Sequence, residues 1–129
     1  MTRDKLITHV RDFYSVEPDY PFEEEDVFVF RHMDNRKWFA VVMAVPYQRL
    51  GLDRPGPVDI VDVKCGPLLM GAYRKQPGIQ PGYHMNKENW VTVLLDGTAE
   101  DETIRELMEI SYELTKKRKK ETAHRTDSF

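Results

Sequence analysis

Apolar positions recur along this chain with two different periods, and the switches between them outline the elements. Residues 2–15 read as an amphipathic helix with Thr2 as its cap and Leu6, Val10 and Phe13 on one face. Pro18 and Pro21 end it and force an extended connection. Two apolar runs follow, VFVF at 27–30 and WFAVVMAV at 38–45, and the Asp34-Asn35 step between them tolerates left-handed backbone, which predicts a hairpin. After the loop YQRLGLDRPGP, the run VDIVDVKC at 58–65 alternates. It puts Val61, Val63 and Cys65 on one face and Asp62 and Lys64 on the other.

Gly66-Pro67 opens a short helix, where the missing proline N–H costs nothing, and this helix is expected to run to Gly78. Pro81 to about Met85 reads as extended. Trp90 to Leu95 is a strand with Val91, Val93 and Leu95 inward and Thr92 outward, closed by an Asp96-Gly97 turn. Thr98 and Asp101 have capping-box spacing, and the last helix carries Ile104, Leu107, Met108, Ser111 and Leu114 as its stripe. The order α-β-β-β-α-β-β-α, with hairpin connections dominant, predicts a two-layer α+β domain. It has a mostly antiparallel five-stranded sheet and three helices gathered on one face. The other face must be solvated, covered by loops or used for binding.

A chain of 129 residues, 40% hydrophobic and 32% charged, makes one domain that buries roughly two thirds of its unfolded surface. No apolar run reaches the ~20 residues that span a bilayer, so no membrane partner is expected. The single cysteine, Cys65, excludes an internal disulfide and favours a reducing cytoplasm. The net charge of −3 argues against a generic nucleic-acid binder, but it is unevenly spread. Glu17 to Asp26 holds six acidic residues and no basic one. Lys64 to Lys87 holds Lys64, Arg74, Lys75, His84 and Lys87 and no acidic residue. The segment 116–125 has six basic residues against one acidic, and with no apolar stripe beyond Thr115 the tail 118–129 is expected to fray.

The densest chemistry lies in PGYHMNKENWVTVLLDG, residues 81–97. Asn86 suits a side-chain bond that holds a tight connection between the last two strands. Trp90 is expected to pack where the sheet meets a helix, with base stacking as the alternative. Lys87 reads either as a solvated loop charge or as an anion contact. Cys65 reads as a small buried hydrophobe; as a nucleophile it would need His84 as its base, and no acid completes the set. His9, His32, His84 and His124 lack metal-ligand spacing, the acidic run lacks the calcium-loop pattern, and no phosphate-binding glycine loop is present, so neither metal nor cofactor is expected.

Five segments in order resemble one family. DYPFEEEDVFVF resembles its acidic Pro-Phe entry to the first strand, RKWFAVVMAV its second strand, and VDVKCGP its strand-to-helix junction. PGYHMNKENWVTVLLDG is similar to its most distinctive segment, and SYELT to a motif on its final helix. On these the chain is identified as a member of the MmcQ/YjbR-like family. The resemblance implies a fold similar to the CyaY-like and secretion-chaperone-like domains, and DNA binding through a double-wing arrangement without enzymatic activity. Two positions depart from its pattern: Gly66 stands where Asp is common, and Asn89 where His commonly precedes the tryptophan.

Three functions follow. The first is a non-enzymatic DNA-binding domain contacting phosphates through Lys64, Arg74, Lys75, His84 and Lys87. The second is a protein-binding module using the sheet face away from the helices or the last helix. The third is an enzyme with Cys65 and His84 in one pocket.

Overall fold

In a computed structural model, residues 1–24 and 26–116 are described; the tail 118–129 lies outside them. The elements are α1 (Arg3–Tyr14), β1 (Phe28–Arg31), β2 (Trp38–Pro46), a one-turn 3-10 helix (Tyr47–Leu50), β3 (Pro57–Lys64), α2 (Pro67–Arg74), β4 (Ile79–Pro81), β5 (Trp90–Leu94) and α3 (Asp101–Thr115). The five strands lie in the order β1-β2-β3-β5-β4, every neighbouring pair antiparallel. The α+β class and the element order are those read from the sequence.

Alternate residues of the strands, among them Phe28, Phe30, Val42, Val61, Val63, Val91 and Val93, bury against Leu6 and Val10 of α1, Met70 of α2 and Ile104, Leu107 and Met108 of α3. All three helices therefore cover one sheet face. The edges are blunted: an isolated bridge between Asp19 and Val29 shields β1, and β4 is three residues long and ends in Pro81.

Several local expectations shift. Thr2 caps α1, its hydroxyl accepting from the Lys5 amide. Phe13, however, is 72% exposed and lies against His9, while Tyr14 turns inward and stacks on Tyr112 at 4.5 Å. On α3 the fifth stripe position belongs to Thr115, not to Leu114, because four residues, and not three, bring the helix back to the face of Ser111. The β1–β2 hairpin forms, with its left-handed residue at Arg36. Helix α2 stops at Arg74, and Gly78 serves a close approach instead: a Cβ there would meet the Ala99 amide at 2.7 Å. The extended run before the last strand covers Ile79–Pro81, after which the chain turns. Thr98 gives its hydroxyl to Asp96, and Glu100 caps α3 without a side-chain bond, so the capping box does not form.

The SYELT segment fastens α3 to the hairpin. The β1–β2 register slips between Phe30, opposite Ala40, and Arg31, opposite Trp38, which leaves Phe39 as an extra residue. Across the gap, the Ser111 hydroxyl donates to the Phe39 carbonyl at 2.6 Å and accepts from the Lys64 amide at 2.8 Å. Thr115 Oγ1 bonds the buried His32 ring at 2.8 Å, and the Asn35 side-chain amide donates to the Thr115 carbonyl. Burial lowers the His32 pKa.

Candidate functional site

The sheet face away from the helices changes character along its strands. At one end, Val45, Val58, Ile60 and Leu94 form a small second core with Tyr47, against which Leu50, Leu52 and Tyr83 pack. The loop after β2 thus covers that end, and the OH of Tyr47 donates to Asp96 at 2.8 Å with Arg54 over its ring. In the middle, the register aligns Val41, Asp62, Thr92 and Gln80 across four strands. At the far end stand Lys64, opposite Trp90, and Trp38, opposite Arg31. Register partners share a face, so both tryptophans lie on this side and not under a helix, contrary to the expectation for Trp90. Each is partly exposed.

Asp62 and Thr92 alternate outward as expected, but neither is solvated: both are fully buried. Loop 82–89 accounts for part of this, because its Tyr83 amide donates to Thr92 Oγ1 at 2.7 Å, and that hydroxyl in turn donates to Asp62 Oδ1. Asp62 Oδ2 has no partner among the described residues. Burial pushes the Asp62 carboxyl up to about 7, against the opposing pull of the Thr92 hydroxyl, the Tyr83 amide and the Lys87 ammonium.

Asn86 holds loop 82–89 as its residue type suggests. Its side-chain oxygen accepts from the Glu88 amide at 2.8 Å, and its carbonyl accepts from the Trp90 amide at 3.0 Å. Gly82 closes the loop on Trp90: its amide bonds the Trp90 carbonyl at 3.1 Å, and a Cβ on it would meet that oxygen at 2.9 Å. His84 takes left-handed backbone, φ 59°, with its ring against Tyr83 at 4.1 Å. The Asn89 carbonyl accepts from the amides of Cys65 and Gly66, a role that does not depend on its side chain. Gly66 begins α2 at φ 81°, backbone that suits glycine better than Asp.

The five basic positions are distributed around this loop. Lys64 ends β3 on the tryptophan side, and His84 is exposed on the loop itself. Lys87 donates from Nζ to the Gly82 carbonyl at 2.9 Å, so part of its hydrogen bonding is spent within the loop. Arg74, at the end of α2, donates to the Lys87 carbonyl at 3.0 Å, and Lys75 follows it, exposed. Arg74 and Lys87 share a cleft of about 400 Å³ with Pro67, Met70 and Glu88. Cys65 is buried in the helix-side core with its thiol pushed up by burial, whereas His84 is exposed on the loop; the structure does not join them as nucleophile and base. A second cleft, about 380 Å³, opens between α1, the hairpin and α3, beside the Tyr14–Tyr112 stack and His32.

Sequence reasoning missed Asp62, Thr92, Tyr83 and Trp38. An Asp within a valine-rich strand was a visible signal, but only the cross-strand register shows that it meets a threonine beneath a loop.

The chain is similar to known proteins over most of its length. The YjbR family profile matches residues 11–114. YyaQ of Bacillus subtilis is 39% identical over 117 residues, covering 90% of this chain and 99% of that protein. A crystal structure of a Pseudomonas syringae protein superposes with a TM-score of 0.87 at 44% identity, covering 90% of this chain and all of that one. A Deinococcus radiodurans protein superposes with a TM-score of 0.67 at 28% identity, covering 91% of this chain and 80% of the other. The profile match runs from the last turn of α1 through all five strands and α2 to Leu114 near the end of α3, and the chain belongs to the YjbR family.

Proposed function

We propose that the protein is a non-enzymatic nucleic-acid-binding domain of the cytoplasm that contacts phosphates around loop 82–89. The observation that carries this reading is the bond from Arg74 to the Lys87 carbonyl, which draws the end of α2 and the loop into one basic rim. Lys75 continues the rim along α2, His84 stands on the loop, and Lys64 lies across the strand pair from Trp90. No carboxylate interrupts the chain from Lys64 to Lys87; Glu88, on the cleft wall, is the nearest opposing charge in sequence. The Lys87 ammonium has three donors and gives one to Gly82, so it retains capacity for a phosphate. The lone cysteine is a buried thiol, which supports a reducing compartment.

Titrations with duplex and single-stranded DNA at several salt concentrations test the reading. Phosphate contacts release counterions, so affinity falls with salt at a log–log slope of about −0.9 per contact on duplex DNA. Lys64→Gln with Lys75→Gln leaves the Lys87–Gly82 bond intact and should make the slope shallower by about two units if both lysines touch phosphates. Absence of salt-dependent binding at low ionic strength refutes the proposal.

A second reading, a protein-binding module, is favoured by exposed leucines: Leu68 at 96% and Leu69 at 44% on α2, and Leu114 at 46% on α3. Leu114 reaches the start of α2, its Cδ1 3.7 Å from where a Gly66 Cβ would sit. Flat DNA titrations, together with a partner lost on Leu68→Glu, would establish this reading instead.

A further inference from the structure

The chain has two tryptophans, and both are on the sheet face away from the helices, at the end that no loop core seals among the described residues. Lys64 lies between their strands: Trp90 is its register partner on β5, and Trp38 is on β2, the strand on its other side. Strands about 4.8 Å apart put the two tryptophan backbones roughly 10 Å from each other with the lysine in the gap. The backbone under all three is pinned. Ser111 holds the Lys64 amide, Asn86 and Gly82 hold the amide and carbonyl of Trp90, and Trp38 pairs with Arg31 across the strands just beyond the Phe39 bulge.

We propose that this end of the sheet is a stacking platform for single-stranded nucleic acid, with Trp38 and Trp90 each taking a base and Lys64 meeting the phosphate between them. The proposal rests on the phosphate-binding reading above and names the kind of nucleic acid. Paired bases in a duplex are already stacked on one another and offer no faces, whereas an unpaired strand can splay successive bases onto aromatic rings. Charge favours the same occupant and gives the strand a direction. Beyond Trp90 lies the basic rim of His84, Lys87, Arg74 and Lys75. Beyond Trp38, its register partner Arg31 is paired with Asp19 at 2.8 Å, and Phe22 packs edge-on at 5.8 Å with Glu23 and Glu24 next to it in sequence, which would repel a backbone. The strand therefore begins at Trp38 and leaves over loop 82–89. Because the backbone under the platform is held before anything binds, the binding step has only side chains left to order.

Both tryptophans belong to the platform, so the protein's own fluorescence reports on it. The full chain is titrated at low ionic strength with a single-stranded oligothymidylate of about ten nucleotides, and with a duplex of the same length. The expected result is quenching by the single strand and none by the duplex. Trp90→Leu should weaken single-strand binding about tenfold or more, while Trp90→Phe, which keeps a ring, retains most of it. Trp38→Leu is run beside them, so that the outcome does not depend on Trp90 variants folding. Salt-dependent binding that leaves the fluorescence unchanged, or that ignores both leucine variants, overturns the platform and leaves the phosphate reading standing. Absence of binding by either probe overturns both.

Discussion

Replacing Asp62 with Asn should change how stability depends on pH, because Asp62 is a carboxyl held in the middle of a sheet without a full set of partners. It is fully buried, with Thr92 on one oxygen and nothing described on the other. Its register neighbours, Val41 and Thr92, are uncharged, and the Lys87 ammonium on the covering loop is the charge that opposes its burial. The carboxyl is pushed from 3.8 up to about 7 in the fold, so the native state binds a proton that the unfolded chain has already released. The stability this contributes is fully present below about pH 4 and is lost as pH rises through about 7, at ~1.4 kcal/mol per unit. The whole window is worth about 4 kcal/mol, and the accessible range from about pH 5 to 8 holds about 3 kcal/mol of it. His9 and His32, whose pKa values are lowered by burial, act in the opposite direction, so the difference between wild type and variant is the quantity to read. Asn keeps the shape and cannot ionise, but its amide nitrogen inherits the unpartnered position at a cost of about 1–3 kcal/mol. Urea unfolding should therefore find Asp62→Asn less stable than wild type at about pH 5 and gaining on it by about 3 kcal/mol at pH 8. Parallel stability curves across that range would show that Asp62 is charged throughout in the native state, and would refute the argument from burial.

Two further substitutions test the joints around the site. Ser111→Ala removes the hydroxyl that serves both the Phe39 carbonyl and the Lys64 amide, and should cost about 2–4 kcal/mol in chemical denaturation, far more than an exposed serine. Gly82→Ala sets a methyl 2.9 Å from the Trp90 carbonyl oxygen; it should cost about 1–3 kcal/mol and shift the tryptophan emission, and an unchanged melt and spectrum would mean that the loop does not close on Trp90 as described.

Periodicity along the chain determined the element order, the α+β class and most of the helix-side core, because those depend on which neighbours along one element share a face. Thr2 as a cap and Asn86 as a loop fastener were legible for the same reason: each bonds within three residues of itself. The five motifs determined the family, since their identity and order survive without coordinates. What the tertiary structure decided is everything that depends on a partner distant in sequence. Alternation assigned Asp62 and Thr92 to the outward face, but whether outward means wet depended on Tyr83 and the 82–89 loop closing over them. Trp90 looked like core because it is large and apolar, although alternation with Val91 and Val93 already set it on the other face; the structure added that the register places it opposite Lys64. Arg74 and Lys87 were only members of a basic run until α2 ended four residues earlier than expected and set one guanidinium on the other residue's carbonyl. A linear pattern records which side of its own backbone a residue takes; what lies across from that side is set by strand order and loop closure, and those exist only once the chain has folded on itself.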